Sequence, residues 1–222
     1  MLFGTSHAPM REPFALCRKA FDTPLGKVEA DLDAIDTIAR ACDFDPYADQ
    51  FNHKREHSIE FQAVFLRHLL RGRRARIIPV LAGLGEQQVS GKSPSKSRAV
   101  EKFLEAVRGV VEDRRAVVIA GADLAHVGPR FGDPEPYDDR ERRRLDETDR
   151  ESLDHATRSD AEGFWGHVVR DLDERRVCGL APIYAMLRTM TSDARGELRH
   201  YEQTVDPEEG SIVSHAAVGF YA

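Results

Sequence analysis

The stretch AVVIAGADLAHVG, Ala116 to Gly128, decides how this chain is read. Its first half, Ala116 to Ala122, is a short apolar run with β-branched residues and no alternation, the pattern of a strand covered on both faces in a parallel or mixed sheet. Its second half passes through Gly121 to Asp123 and His126, which puts a carboxylate and an imidazole at the strand's carboxyl end, where open α/β sheets build their sites. ARIIPVLA, Ala75 to Ala82, repeats the unalternating pattern. Met1-Leu2-Phe3 running into Gly4-Thr5-Ser6-His7 reads as the end of a further buried strand with a histidine just beyond it.

Helical and hairpin signals interleave with these runs. Phe14 to Phe21 reads as a strand, Thr23-Pro24-Leu25-Gly26 as a turn and Lys27 to Ala30 as the return strand. Asp31 is the expected N-cap of a helix from Leu32 to Ala41. Glu56 to Leu70 is apolar on all sides and is expected to be a largely buried helix stopped by Gly72. Val100 to Val111 is amphipathic and follows a Ser/Lys/Gly loop at Ser90 to Ser97. Asp138 to Ala156 is charged all round, with opposite charges four apart such as Asp139 and Arg143 or Asp146 and Arg150, and is expected to be a solvated helix. Glu162 to Leu172 and Leu180 to Met190 add two helices, and Glu197 to Val205 and Ile212 to Tyr221 close the chain as strands. The fold class that follows is α/β, a mixed or parallel central sheet with helices on both faces.

Composition narrows the function classes. At 222 residues, one elaborated domain spanning 1–222 is expected. With 41% hydrophobic and 32% charged residues and a mean hydropathy of -0.48, the chain is globular with a heavily charged surface. No run approaches the roughly 20 apolar residues of a membrane span, and the N-terminus lacks the basic and apolar regions of a signal peptide, so a cytoplasmic location is expected. The net charge of -6, with lysine and arginine interspersed among acids, argues against nucleic acid as a partner. Cys17, Cys42 and Cys178 form neither a CxxC pair nor an even disulfide framework.

Several short patterns carry chemistry. His53-Lys54-Arg55-Glu56-His57 matches H-x-x-E-H, in which two histidines bind zinc and the glutamate is a general base; the alternative is a polar helix start, with Glu56, His57 and Glu60 favoured there by the helix dipole. Gly85 to Ser93 resembles a phosphate loop but has five residues between its glycines where four are needed, so nucleotide binding is not expected. Asp123 beside His126 can hold an imidazole in one tautomer for base chemistry or metal binding; equally, it can cap a turn. Cys178 stands just before an apolar helix, whose N-terminal dipole favours thiolate; the plain alternative is a small hydrophobe in a core gap.

Taken together, GTSHAPM at 4 to 10, REHSIEFQ at 55 to 62, IIPVLAG at 77 to 83, ADLAHVGPRFGD at 122 to 133, CGLAPI at 178 to 183, YEQT and SIVSHAAVGFYA resemble the Memo family, also called AmmeMemoRadiSam system protein B. The blocks stand in the family's order and cover nearly the whole chain. The resemblance implies a fold related to the class III extradiol dioxygenases, whose non-haem iron is held by two histidines and a carboxylate, with a cysteine at the carboxylate's place in the Memo family. By motif position it implies His7 and Cys178 as metal ligands and His126 as an acid/base group with Asp123 beside it. His57 and Glu60 fall in a block implied to line or support the cleft. The family also has an earlier strand ending in a Pro-His-Ala-Gly-type motif whose histidine is a further ligand; nothing before His7 matches it, so the chain is expected to be shortened at its N-terminus relative to the family.

Replacing a hard carboxylate by a soft thiolate shifts metal preference toward copper(I), zinc or thiolate-bound iron. The leading expectation is therefore a dioxygenase-type cleft that binds iron or copper, or a small ligand, and acts as an oxidoreductase. The competing expectations are a non-catalytic scaffold that binds a peptide or protein in the same cleft, and a zinc peptidase built on His53 and His57.

Overall fold

Leu2, Phe3, Gly4 and Thr5 are all buried, as a strand with neighbours on both edges and cover on both faces requires. The computed structural model describes residues 1–70, 73, 75–191 and 193–221, with Val89 described by its backbone alone. In chain order the elements are β1 (Leu2–Thr5), β2 (Phe14–Leu16), β3 (Phe21–Thr23), β4 (Gly26–Ala30), α1 (Leu32–Ala41), α2 (His57–Leu70), β5 (Arg76–Ile77), β6 (Pro79–Ala82), α3 (Gly85–Ser90), α4 (Arg98–Arg114), β7 (Ile119–Gly121), β8 (His126–Val127), α5 (Asp139–Thr157), α6 (Ala161–Val169), α7 (Leu180–Thr189), β9 (Arg195–Val205) and β10 (Ile212–Tyr221). Two compact units make up the chain: Met1–Gly85 with Pro94–Gly121, and Glu86–Ser93 with Ala122–Ala222.

The first unit carries a mixed sheet in the order β2-β6-β1-β7, with β1 parallel to both β6 and β7 and β2 antiparallel to β6. A smaller sheet, β3-β4-β5, stands in the same unit. Helix α2 packs on β1 and β7, and Gly4 sets how closely: a Cβ there would lie 2.5 Å from Ser58 Oγ and 2.6 Å from Ile59 Cγ1, inside van der Waals contact. Helix α1 begins at the Asp31 cap as expected, the carboxylate accepting the Ala34 N–H, and packs against α4. The second unit carries an antiparallel sheet, β8-β10-β9, with α5, α6 and α7.

The α/β class with mixed sheets is the one the sequence predicts, and five segments differ in detail. The run Phe14 to Phe21 is two strands in different sheets, not one. Ala75 to Ala82 divides at Ile78, β5 pairing with β4 and β6 with β1 and β2. β7 is shorter than Ala116 to Ala122 and lies at the sheet's edge, with Ile119 and Ala120 only half-buried, and Val117, ahead of the strand, is exposed. Helix α2 buries Ile59 and Ala63 but leaves Phe61, Phe65 and Leu69 56%, 63% and 71% exposed, because only one of its faces meets the sheet. The helix stop expected at Gly72 lies outside the described residues. Helix α5 opens with a full capping box, Asp138 with Glu141, and makes the Asp146–Arg150 pair, yet it is not solvated all round: Leu145, Asp149, Ser152, Leu153 and Ala156 are buried. Among the described residues no helix is long and apolar enough to cross a membrane.

Candidate functional site

In the second unit, Asp123, His126 and Cys178 come together. One ligand-type atom from each lies within 4.8 Å of the other two. The segment holding Asp123 and His126 is fastened to β10 and to the loop before α7: Leu124 N–H donates to the Ser214 carbonyl at 2.8 Å, Ala125 N–H to Ser214 Oγ at 3.0 Å, and His126 N–H to the Arg175 carbonyl at 2.8 Å. His126 Nδ1 lies 3.2 Å from the Leu124 carbonyl, which only accepts, so Nδ1 carries the hydrogen of the neutral ring, whose Nε2 is then bare. Nε2 stands 3.7 Å from Asp123 Oδ2, and the ring is braced edge-on by Phe131 at 4.9 Å. On its other oxygen, Asp123 accepts the Cys178 thiol.

Gly179 is what allows Cys178 to reach this carboxylate. A Cβ at 179 would fall 2.1 Å from the Asp123 carbonyl oxygen and 2.8 Å from Ala122 Cβ. Gly179→Ala is accordingly expected to cost about 1–3 kcal/mol by overpacking, and, since the chain must retreat there, to lengthen the Cys178–Asp123 contact. Urea unfolding together with the alkylation rate of Cys178 checks both effects; unchanged values of each would contradict this close approach.

In the first unit, His7 stands with Glu56 and His57. Glu56 is 5% exposed and its two oxygens lie 2.9 and 3.1 Å from His7 Nδ1. The same carboxylate accepts the backbone N–H of His7 and of Ser58, each at 3.0 Å. Burial pushes the Glu56 carboxyl up, but these hydrogen bonds and the His7 ring outweigh it and hold it below the usual carboxylate range. The His57 ring stacks on His7 at 5.1 Å, 15° from parallel, and is itself exposed. Glu60, one turn along α2, is exposed and lines a separate cleft of about 550 Å³ with Phe21, Phe51 and Lys54.

The two histidines of the H-x-x-E-H pattern do not share a centre. His53 lies in a 3-10 turn, Gln50–Lys54, that ends before α2 begins at His57, so no single helix carries both rings. The His53 ring is buried, its Nε2 donating to the Ala15 carbonyl at 3.0 Å, and burial lowers its pKa to about 4. The metal-type cluster contains His7, Glu56 and His57 and leaves His53 out. The zinc-peptidase expectation is therefore withdrawn, and Glu56 becomes a partner of His7, a pairing across 49 residues that no local pattern signals.

The model of the Memo-like protein family matches residues 1–219. The chain belongs to the Memo-like family. A MEMO1 family protein of Aquifex aeolicus (strain VF5) is 27% identical over 224 residues, covering 100% of this Memo-like chain and 55% of its own length. A MEMO1 family protein of Methanosarcina acetivorans is 31% identical across 98% of this chain and 73% of its own, and one of Thermococcus onnurineus is 28% identical across 99% and 75%. The Memo-like chain thus spans about half the length of the Aquifex protein and about three quarters of the other two.

The donor set of the second unit fits a metal ion of borderline softness. Thiolate, imidazole and carboxylate ligands lie about 2.0–2.3 Å from zinc-like ions, so that ligands on opposite sides stand up to twice that apart. A spacing of at most 4.8 Å closes onto such an ion with small side-chain adjustments.

Proposed function

We propose that this Memo-like protein binds a transition-metal ion, iron or copper, through histidine and cysteine side chains and acts as an oxidoreductase on a small organic molecule. The observation that carries the proposal is the convergence of Asp123, His126 and Cys178, a thiol, an imidazole with a bare nitrogen and a carboxylate, in one unit of the fold. His7, whose ring is held by Glu56, is proposed as an imidazole ligand.

Each residue has work that follows from its surroundings. The Cys178 thiol must lose its proton to ligate a metal, and Asp123 Oδ1, which already accepts that hydrogen, is the first acceptor for it. With Cys178 and not His126 holding the metal in this unit, His126 Nε2 is left to take a proton from a bound substrate, while Nδ1–H stays on the Leu124 carbonyl and fixes the ring. Asp123 Oδ2, 3.7 Å away, stabilises the imidazolium so formed. A bound iron or copper ion supplies redox and Lewis-acid chemistry.

The second reading, a non-catalytic scaffold for a peptide or protein, is favoured by the exposed row Phe61, Phe65 and Leu69 on α2, spaced four residues apart along one face. Metal analysis of protein purified without chelator separates the two. Co-purifying iron or copper, lost in Cys178→Ala and reduced in His7→Ala, is the expected result. No co-purifying metal, with no added iron or copper bound in a manner sensitive to His7→Ala and Cys178→Ala, leaves the scaffold reading in its place.

A further inference from the structure

We infer that Glu56 is a positioning residue for His7: it holds the imidazole in the Nδ1–H tautomer and so leaves Nε2 bare as the atom that meets a ligand. The use of Nε2 as a metal ligand rests on the proposed function above; the tautomer rests on the geometry alone.

A carboxylate has no hydrogen to give, so the ring nitrogen that faces it must carry one. His7 Nδ1 faces both oxygens of Glu56, at 2.9 and 3.1 Å. Those oxygens also accept two backbone N–H groups, His7 at 3.0 Å on Oε2 and Ser58 at 3.0 Å on Oε1, which occupies both with donors. Because the main-chain N–H and the ring N–H of His7 are bonded to the same side chain, the rotations about both side-chain bonds of His7 are fixed. The stacked His57 ring restricts one face of the imidazole.

The burial pattern has the same sense. The anchor is 5% exposed and the side chain it holds is 46% exposed, so the Nδ1 edge of the ring is the one tied to the buried carboxylate. An unrestrained neutral imidazole favours the opposite tautomer, with its hydrogen on Nε2, which cannot bind a metal through that atom. Histidines that ligate metals commonly give their other N–H to a carboxylate, and losing that partner costs about 10–100-fold in affinity.

The test is a two-bond 1H–15N correlation spectrum of 15N-labelled apo protein, with the His7 ring assigned by its loss in His7→Ala, followed by cobalt(II) titration of the same samples. For the wild-type chain the neutral His7 ring is expected to show a protonated Nδ1 and a bare Nε2. Glu56→Gln, whose amide oxygen can still accept, is expected to retain that tautomer, and Glu56→Ala to lose it. Cobalt affinity is expected to fall at least 10-fold in Glu56→Ala, to recover in part in Glu56→Gln, and to fall no further when Glu56→Ala is added to His7→Ala. A wild-type ring protonated on Nε2 overturns the inference without recourse to any variant, as does a tautomer indifferent to Glu56→Ala. If the Nδ1–H tautomer depends on Glu56 but no cobalt binds, the positioning stands and the metal-binding reading is what fails.

Discussion

Asp149→Ala is expected to cost on the order of 3–5 kcal/mol of folding stability, the price of leaving a buried charged partner alone. Asp149 is fully buried on α5 and pairs with the Arg175 guanidinium, itself 7% exposed. Its second oxygen accepts the Tyr201 hydroxyl at 2.9 Å and the Ser214 hydroxyl at 2.5 Å, while Ser152 Oγ accepts from Arg175 Nη2 at 3.0 Å. Burial first, and then the charge of Asp149, push the Tyr201 phenol above its ordinary range, so it stays a donor. Removing the carboxylate strands one cation and the Ser214 hydroxyl inside the second unit, both without access to water, and takes the acceptor from the half-buried Tyr201 hydroxyl. Asp149→Asn keeps an acceptor and is expected to cost less. Urea unfolding of the three proteins measures the difference, and a cost below about 1 kcal/mol for the alanine variant would remove the network from the forces that hold this unit.

The effect also reaches the site. Ser214 Oγ, which donates to Asp149, accepts the Ala125 N–H, and the Arg175 carbonyl accepts the His126 N–H. Two of the three residues that bond Asp149, Ser214 and Arg175, therefore also hold the backbone on which His126 sits.

The second large effect is a loss of stability in mild acid that comes from His53. The buried ring has a pKa of about 4, against 6.5 when unperturbed. A histidine whose folded pKa is depressed binds its proton more readily in the unfolded chain, so stability is whole above pH 6.5 and drains away as pH falls toward 4. The difference corresponds to about 3 kcal/mol at most. His53 Nδ1 is buried without a partner among the described residues, which gives a proton arriving there no acceptor. His53→Gln is expected to flatten the stability profile between pH 6.5 and 4 while lowering stability at pH 7 through repacking. Glu56, held below the usual carboxylate range, adds its own loss at lower pH, where it is protonated in turn. A wild-type profile that is flat down to pH 4.5 would contradict the burial of His53 as described.

The sheet was legible because its pattern is local. Met1-Leu2-Phe3 and Ala75 to Ala82 are unalternating apolar runs, and the strands found there, Leu2–Thr5 and Pro79–Ala82, are buried at every position. Asp123, His126 and Cys178 were legible through strand ends and a helix start, features that reside within a few residues of each. What was hidden depends on partners distant in sequence. Asp149 sits in a helix of mean charged character and looks solvated until Arg175, Tyr201 and Ser214 are brought to it. Glu56 looks like part of a zinc motif until His7 arrives from 49 residues away. The apolar surround of α2 signals contact without saying with what, and Phe61, Phe65 and Leu69 stay exposed among the described residues.

A role for Cys178 as a metal ligand beside His126 and Asp123 is tested most directly by X-ray absorption at the edge of the metal bound to the purified protein. A metal–sulfur scattering path near ~2.3 Å, lost in Cys178→Ala and retained in the exposed-site variant Phe65→Ser, is the predicted result. A bound metal surrounded by nitrogen and oxygen alone, or a sulfur path that persists in Cys178→Ala, would contradict it.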